Sequence, residues 1–336
     1  MIVAQTADQK TPSARRRGYP KLAFLILPLT RVEVRGWGRL LQMFRVTDPA
    51  YYHLWDDAPS VSFKGKWHGY RLTLALSDWS QRLSYFLGRY HDLPLQLLMA
   101  ECLKPGDRFV DVGANIGLIT LYASWLVGKG GRVDSFEPNP TCFSAVKAMV
   151  EANSLANVHL HNVALSDSDG EATLTLLTES SVAGTLADLP RDLGEQITGS
   201  VVVETRIGAE VLAQDPKPVK LVKIDVEGFE MHVLKGLTGV LSQSRPAVVT
   251  EVIESQLRWA GSGRKEIAAF FSALGYEPYS LGEARVGGRM SLRLERVGAD
   301  VEAAAATDFL WLHPEWDSWA ALRPFLADPT SNPEIV

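Results

Sequence analysis

Cysteine is scarce: the chain has two, Cys102 and Cys142. Two thiols supply neither a disulfide framework nor a cysteine-based zinc site, and a reducing cytoplasm suits such usage. Positive charge is not in excess either. Lys and Arg number 34 against 39 Asp and Glu, a net charge of −5. A nucleic-acid partner, which needs a broad basic face, is therefore not expected. Long apolar runs are also missing. The most membrane-like stretch, Leu22–Leu29, has eight residues including a proline and follows Arg15-Arg16-Arg17 and Lys21. A bilayer span needs about 20 such residues, so no membrane span is expected. A signal peptide would end in a small-residue cleavage site, but Thr30-Arg31-Val32-Glu33 follows instead. Residues 1–20 read as a disordered basic tail.

Two nucleotide-binding signatures are absent as well, at the very place where a ligand turn stands. Phe109-Val110-Asp111-Val112 is a short apolar run, Gly113-Ala114-Asn115-Ile116-Gly117 a glycine turn, and Leu118–Val127 a helical stretch. Strand, tight turn and helix open a doubly wound sheet, whose ligands bind outside the carboxyl ends of the strands. A dinucleotide fingerprint needs G-x-G-x-x-G. Counting from Gly113, the next two glycine positions hold Asn115 and Leu118. A P-loop needs Lys after the last glycine, and Leu118 stands there. What remains is D-x-G-x-x-x-G, Asp111 to Gly117, the form of a turn for S-adenosylmethionine (SAM). SAM carries no phosphate, so the turn needs only a close backbone approach at Gly113 and a carboxylate, Asp111, near the ammonium end. A ribose with two free hydroxyls is best held by a carboxylate after strand two. Glu137 ends Val133–Glu137, and 137 − 113 = 24 residues from Gly113 is close to the roughly 20 expected. The end of strand three, Ala164 and Leu165, is the expected adenine edge.

From Gly106 onward strands and helices alternate, which argues for a mostly parallel sheet. Strands are expected at 108–111, 132–137, 158–165, 219–225 and 247–253, with the last two at 276–281 and 308–313. Glu171–Leu177 and Val201–Thr205 form an inserted hairpin, separated by a Gly- and Ser-rich loop over 180–200 that could be mobile. The expected fold is α/β, a class I (Rossmann-like) methyltransferase sheet of seven strands with an N-terminal α/β extension. The expected divisions are the tail 1–20, the extension 21–105, the methyltransferase domain 106–320 and a C-terminal tail 321–336. In the extension, Tyr85, Phe86, Tyr90, His91, Trp67 and Trp79 suit either an acceptor surface or, for most of them, a packing seam.

Four phrases together resemble the FkbM family of SAM-dependent methyltransferases: Gly106 to Gly117; Phe136-Glu137-Pro138-Asn139-Pro140; Asn162 to Asp167 with Gly170; and Val222-Lys223-Ile224-Asp225-Val226-Glu227-Gly228-Phe229-Glu230. The resemblance covers about residues 80–255. It implies methyl transfer to hydroxyls of sugars, glycolipids or polyketide-type metabolites, and a cofactor site built from Asp111, Gly113, Ala114, Asn115, Gly117, Glu137, Pro138, Asn139, Ala164, Leu165 and Asp225. Thr205 to Glu210, and His232, depart from the family's usual pattern. An aliphatic hydroxyl is a poor nucleophile and needs help in losing its proton. Asp225 at the end of strand four, Glu227 in its turn and Glu251 at the end of strand five are the candidates. The same three carboxylates have oxygen-ligand chemistry, but without a fixed spacing no metal is assigned. Two other functions compete: methylation of a nucleobase or other nitrogen, and SAM binding without transfer.

Overall fold

The computed structural model describes residues 18–177, 184–189, 197–298, 301–302 and 304–327. Of the expected features, residues 1–17 of the basic tail, 180–183 and 190–196 of the loop, and 328–336 of the C-terminal tail lie outside the described residues. The strands are β1 (Ser60–Lys64), β2 (Arg71–Ala75), β3 (Arg108–Val112), β4 (Arg132–Phe136), β5 (Val158–His161), β6 (Ala164–Ser166), β7 (Gly170–Leu177), β8 (Gly184–Thr185), β9 (Ile197–Ile207), β10 (Leu221–Ile224), β11 (Ala247–Glu251), β12 (Glu277–Val286), β13 (Arg289–Arg296) and β14 (Asp308–Leu312).

The chain forms two compact units: Met1–Val61 with Leu74–Leu87, and Ser62–Thr73 with Gly88–Val336. The boundary expected at 105 does not coincide with that division. Helix Leu93–Cys102 buries Leu95, Leu98, Met99 and Cys102 in one cluster with Phe109, Tyr122 and Val133, so it belongs to the larger unit. The tail expected from 321 is also packed at its start, for Leu322 is fully buried and Leu326 bridges Leu294. In the smaller unit Trp55, Phe86 and Leu41 are buried. The fully buried Arg82 donates to the carbonyls of Val46 and Leu76 at 2.9 and 2.8 Å, which offsets the cost of its desolvation.

The larger unit is built on an eight-stranded sheet in the order β13-β12-β14-β11-β10-β3-β4-β5. Strands β5, β4, β3, β10 and β11 are parallel and β14 runs antiparallel against β11. Every residue of β3 and β10 is buried. Burial along the whole strand is what a parallel sheet covered on both faces imposes, and Arg108, Asp111 and Lys223 are the charged residues it encloses. One strand more than the expected seven appears because β12 turns back through Gly287-Gly288, both at positive φ (56° and 82°), into β13. That is the geometry of a tight hairpin, and Leu292 and Leu294 of β13 enter the core.

The expected third strand is split. Val158–His161 stays beside β4, whereas Ala164–Ser166 pairs with β9 in a separate four-stranded sheet ordered β6-β9-β7-β8. The break has a physical cause at Asn162, whose side-chain amide donates to the carbonyls of Glu137 and Pro138 at 2.8 and 3.1 Å. This draws the chain over the end of β4. The inserted hairpin is the antiparallel pair β7 and β9.

Candidate active site

Strand β3 lies between β4 and β10, so the turns after these strands emerge side by side. The Asp225 N–H donates to the Val112 carbonyl at 3.1 Å, and those of Gly113 and Ala114 both donate to the Phe136 carbonyl at 3.0 Å. Gly113 has φ +78°, and a Cβ there would fall 1.9 Å from the Asp225 carbonyl oxygen. No side chain fits between the two turns. Asn115 takes φ +53°, a conformation Asn tolerates. Its N–H donates to Glu137 Oε2 at 2.6 Å, and its own Oδ1 accepts from the Ile116 N–H at 2.7 Å.

These turns wall a cavity of about 80 Å³. Of the residues singled out from the sequence, Gly113, Asn115, Glu137, Pro138, Asn139, Ala164, Leu165, Asp225 and Glu227 line it. Phe136, Val163 and Phe229 add apolar wall, and Leu174, Gly184 and Leu186 bring in the β7–β8 edge. Four expected residues are not in the lining. Ala114 and Gly117 are buried in the turn itself. Asp111 is 0% exposed. Its Oδ2 accepts from the Thr120 hydroxyl at 2.6 Å and its Oδ1 lies 3.7 Å from Lys223 Nζ. The expected direct contact of Asp111 with an ammonium end is therefore corrected: its carboxylate sits beneath the turn, because β3 is central and both its faces are covered. Glu251 ends β11 beside the cavity rather than in its wall.

Glu137 is 7% exposed. Its Oε1 accepts from the Asn139 N–H at 2.8 Å, so each carboxylate oxygen already holds one backbone N–H. Each oxygen has a further lone pair, which leaves acceptor capacity for two hydroxyls. Burial pushes Glu137 up to about 7 against the pull of these N–H bonds. Asn139 also caps helix Pro140–Ala152 by accepting from the Thr141 N–H at 3.0 Å, a contact worth about 1 kcal/mol.

Three groups that matter here were not picked from the sequence. Lys223 is 7% exposed. Its Nζ donates to the Gly113 carbonyl at 2.8 Å and lies 3.1 Å from Asp225 Oδ2. Burial alone would lower it, but Asp225 and Asp111 outweigh that and hold it above its usual range. The signal was a lysine inside a buried strand, since such a charge persists only when paired. Glu230 Oε1 accepts from the Val226 and Gly228 N–H groups, each at 3.2 Å. Asp308 faces Glu251 across the β11–β14 ladder. Burial, then Asp225, Glu227, Asp308 and Glu230, push Glu251 up to about 9. Tyr90, named from the sequence, feels the same acids: burial, then Asp225, Asp92, Glu251 and Asp111, push its phenol well above its usual range.

The remaining candidates pack elsewhere. Tyr85 and Phe86 meet Phe24 at 5.8 and 5.7 Å in the smaller unit, Trp79 stacks on Tyr52, and Trp67 meets Tyr122 at 5.5 Å. His232 lies 3.2 Å from Asp167 and stacks on Phe229. Among the described residues no group of three or more His, Cys, Asp or Glu side chains is arranged to hold a metal ion.

The lining suits SAM: apolar wall for a flat base, the Glu137 carboxylate with spare acceptor capacity for a ribose, and a side-chain-free gap at Gly113. The family model described as Methyltransferase FkbM domain matches residues 111–278, half of the chain. The chain belongs to the FkbM methyltransferase family. Its cofactor is SAM. The FkbM domain thus begins at the acid of the first turn and ends within β12. Methyltransferase 1 of Beauveria bassiana is 31% identical over 168 residues, 45% of this chain and 67% of that protein. The 31-O-demethyl-FK506 methyltransferase FkbM of Streptomyces tacrolimicus is 31% identical over 164 residues, covering 40% of this chain and 61% of that one. The hexuronic acid methyltransferase AglP of Haloferax volcanii is 32% identical over 160 residues, covering 47% and 60%. The matches thus leave a third or more of each relative's length uncovered.

Proposed function

We propose that this FkbM-family chain transfers a methyl group from SAM to a hydroxyl of a small molecule or glycan. One observation carries the reading: a single cavity is lined by the Gly113 turn, by Glu137 and by Asp225 with Glu227. When bound, the cofactor supplies an already activated methyl group, so the protein's task is alignment and removal of the acceptor's proton. In this reading Glu137 holds the ribose and Ala164 and Leu165 pack against the base. Asp225, fixed by Lys223, takes the hydroxyl proton. Glu227, held by the Gln256 amide at 2.7 Å, orients the acceptor. Glu251, pushed up to about 9, keeps its proton at neutral pH and donates a hydrogen bond.

Two relatives support an oxygen-bearing acceptor, one named for 31-O-demethyl-FK506 and the other for a hexuronic acid. The acids around the cavity, with a net charge of −5, disfavour a polyphosphate acceptor such as RNA. No helix among the described residues is long and apolar enough to cross a membrane. A cytoplasmic location suits two buried free thiols, Cys102 and Cys142. The test is incubation with methyl-labelled SAM and fractionated cell extract. Label should enter hydroxylated metabolites or glycans, and label confined to RNA would overturn the reading.

A further inference from the structure

The N-terminal helical segment presents an apolar face to solvent. Among the described residues the large exposed hydrophobics are Leu22, Leu25, Leu29, Val32, Met43, Trp125, Ile197, Val202 and Val286. Five of these nine fall within residues 22–43, so the exposure is concentrated rather than scattered. Leu22, Leu25, Leu29 and Val32 follow at intervals of three, four and three through Lys21–Ile26, Leu27–Arg31 and the C-cap of the latter, Val32, the spacing of one helical face. They are 70, 72, 45 and 68% exposed. The opposite face, Ala23, Ile26 and Thr30, is buried, with the Thr30 hydroxyl donating to the Phe86 carbonyl at 2.7 Å. The inner face already makes this segment's packing contacts, so folding of the unit does not account for the outer one.

Charge around this face is predominantly positive. Lys21, Arg31, Arg35, Arg39 and Arg45 lie between residues 18 and 45 with one acid, Glu33, in a chain whose net charge is −5. Lys21 and Arg45 line the same open cleft as Leu22 and Met43. Arg35 and Arg39 are exposed, and among the described residues no carboxylate pairs with either. An apolar helical stripe with exposed Arg35 and Arg39 near it in sequence is complementary to a bilayer surface carrying anionic headgroups, with leucines entering the acyl boundary and arginines meeting phosphates. The segment is too short to span, and insertion in the interface plane needs no greater length.

We propose that the face formed by Leu22, Leu25, Leu29, Val32 and Met43, with Arg35 and Arg39, docks this methyltransferase on an anionic lipid surface. Apolar insertion and a basic patch are two separate signals, and stable peripheral binding takes two. The test is co-sedimentation of the full chain with vesicles of phosphatidylcholine alone or mixed with phosphatidylglycerol. Binding should appear with the anionic vesicles and weaken as salt is raised. Leu25→Glu with Leu29→Glu, and separately Arg35→Glu with Arg39→Glu, should each weaken it about tenfold or more. SAM binding by calorimetry should be unchanged in both variants, which separates docking from loss of fold and from the cofactor reading. Wild-type protein that stays in the supernatant overturns the proposal. So does binding that neither variant alters. A dimer that dissociates in the leucine variant, without lipid binding, would assign the face to a second copy instead. Vesicle binding gained only on removal of residues 1–17 would assign it to that segment.

Discussion

Two turns face the same cavity, and each is held by a buried glutamate. In the turn after β3, the Asn115 N–H donates to Glu137, which also accepts from the Asn139 N–H beyond the end of β4. After β10, Glu230 accepts from those of Val226 and Gly228. Each turn forces a non-glycine residue into the left-handed region, Asn115 and Glu227 both at φ +53°. Burial pushes both glutamates up to about 7. They differ in reach. Glu137 acts across 22 residues of sequence, from the end of a neighbouring strand, while Glu230 reaches back two to four residues. The first turn has its shape only once β3 and β4 are paired. The second is shaped by its own helix start. The cofactor turn is thus tied to the sheet, and the turn carrying Asp225 and Glu227 can be altered locally.

Gly113→Ala should break both turns at once, because its Cβ would meet the Asp225 carbonyl at 1.9 Å. A loss of about 3 kcal/mol or more in urea denaturation is expected, together with loss of SAM binding. Next in size is Glu137→Ala. Removing a carboxylate that holds two N–H groups and the proposed ribose site should weaken SAM binding by about 2–3 kcal/mol, or 30- to 150-fold. Unchanged affinity in calorimetry would sink that assignment. Glu230→Ala should sharpen the contrast. Without the single oxygen that accepts from both N–H groups, kcat should fall about tenfold, while the SAM dissociation constant stays within about twofold. Equal losses in both would mean that the turns are not independent.

The smallest effect concerns pH. Glu251 is pushed up to about 9, against about 4.3 in an unfolded chain. The folded state therefore binds this proton more tightly. The stability it brings is complete below about pH 4.3 and is lost as pH rises through about 9. Glu251→Gln should raise the thermal midpoint by about 2–4 °C at pH 8, and the difference should vanish near pH 4. A midpoint difference independent of pH would exclude titration of Glu251 as the cause.

The site was legible where chemistry sits in local phrases. Gly113, Asn115, Glu137 and Asp225 were found because strand, turn and acid follow each other at short spacing. Asp111 was found as well, but its orientation was not legible. A residue in a strand alternates between two faces, and both faces of β3 are covered. Lys223 was overlooked although it stands within the recognised phrase, since its value lies in partners 110 and 112 residues upstream, the Gly113 carbonyl and the Asp111 carboxylate. The hairpin to β13 was signalled by Gly287-Gly288 and went unread. The split of the third strand hangs on one asparagine side chain bonding a distant loop, which no local pattern announces.

By itself the sequence determined the order of strands and helices, the glycine turn and its family, because these depend on apolar runs, spacing and backbone freedom within a few residues. Only the tertiary structure decided which acids meet. It buried Asp111, turned Glu137 into a clamp on Asn115 and set Glu251 opposite Asp308. The reason is that proximity and desolvation, which fix what a carboxylate does, are made by strands that neighbour in the sheet and not in the chain.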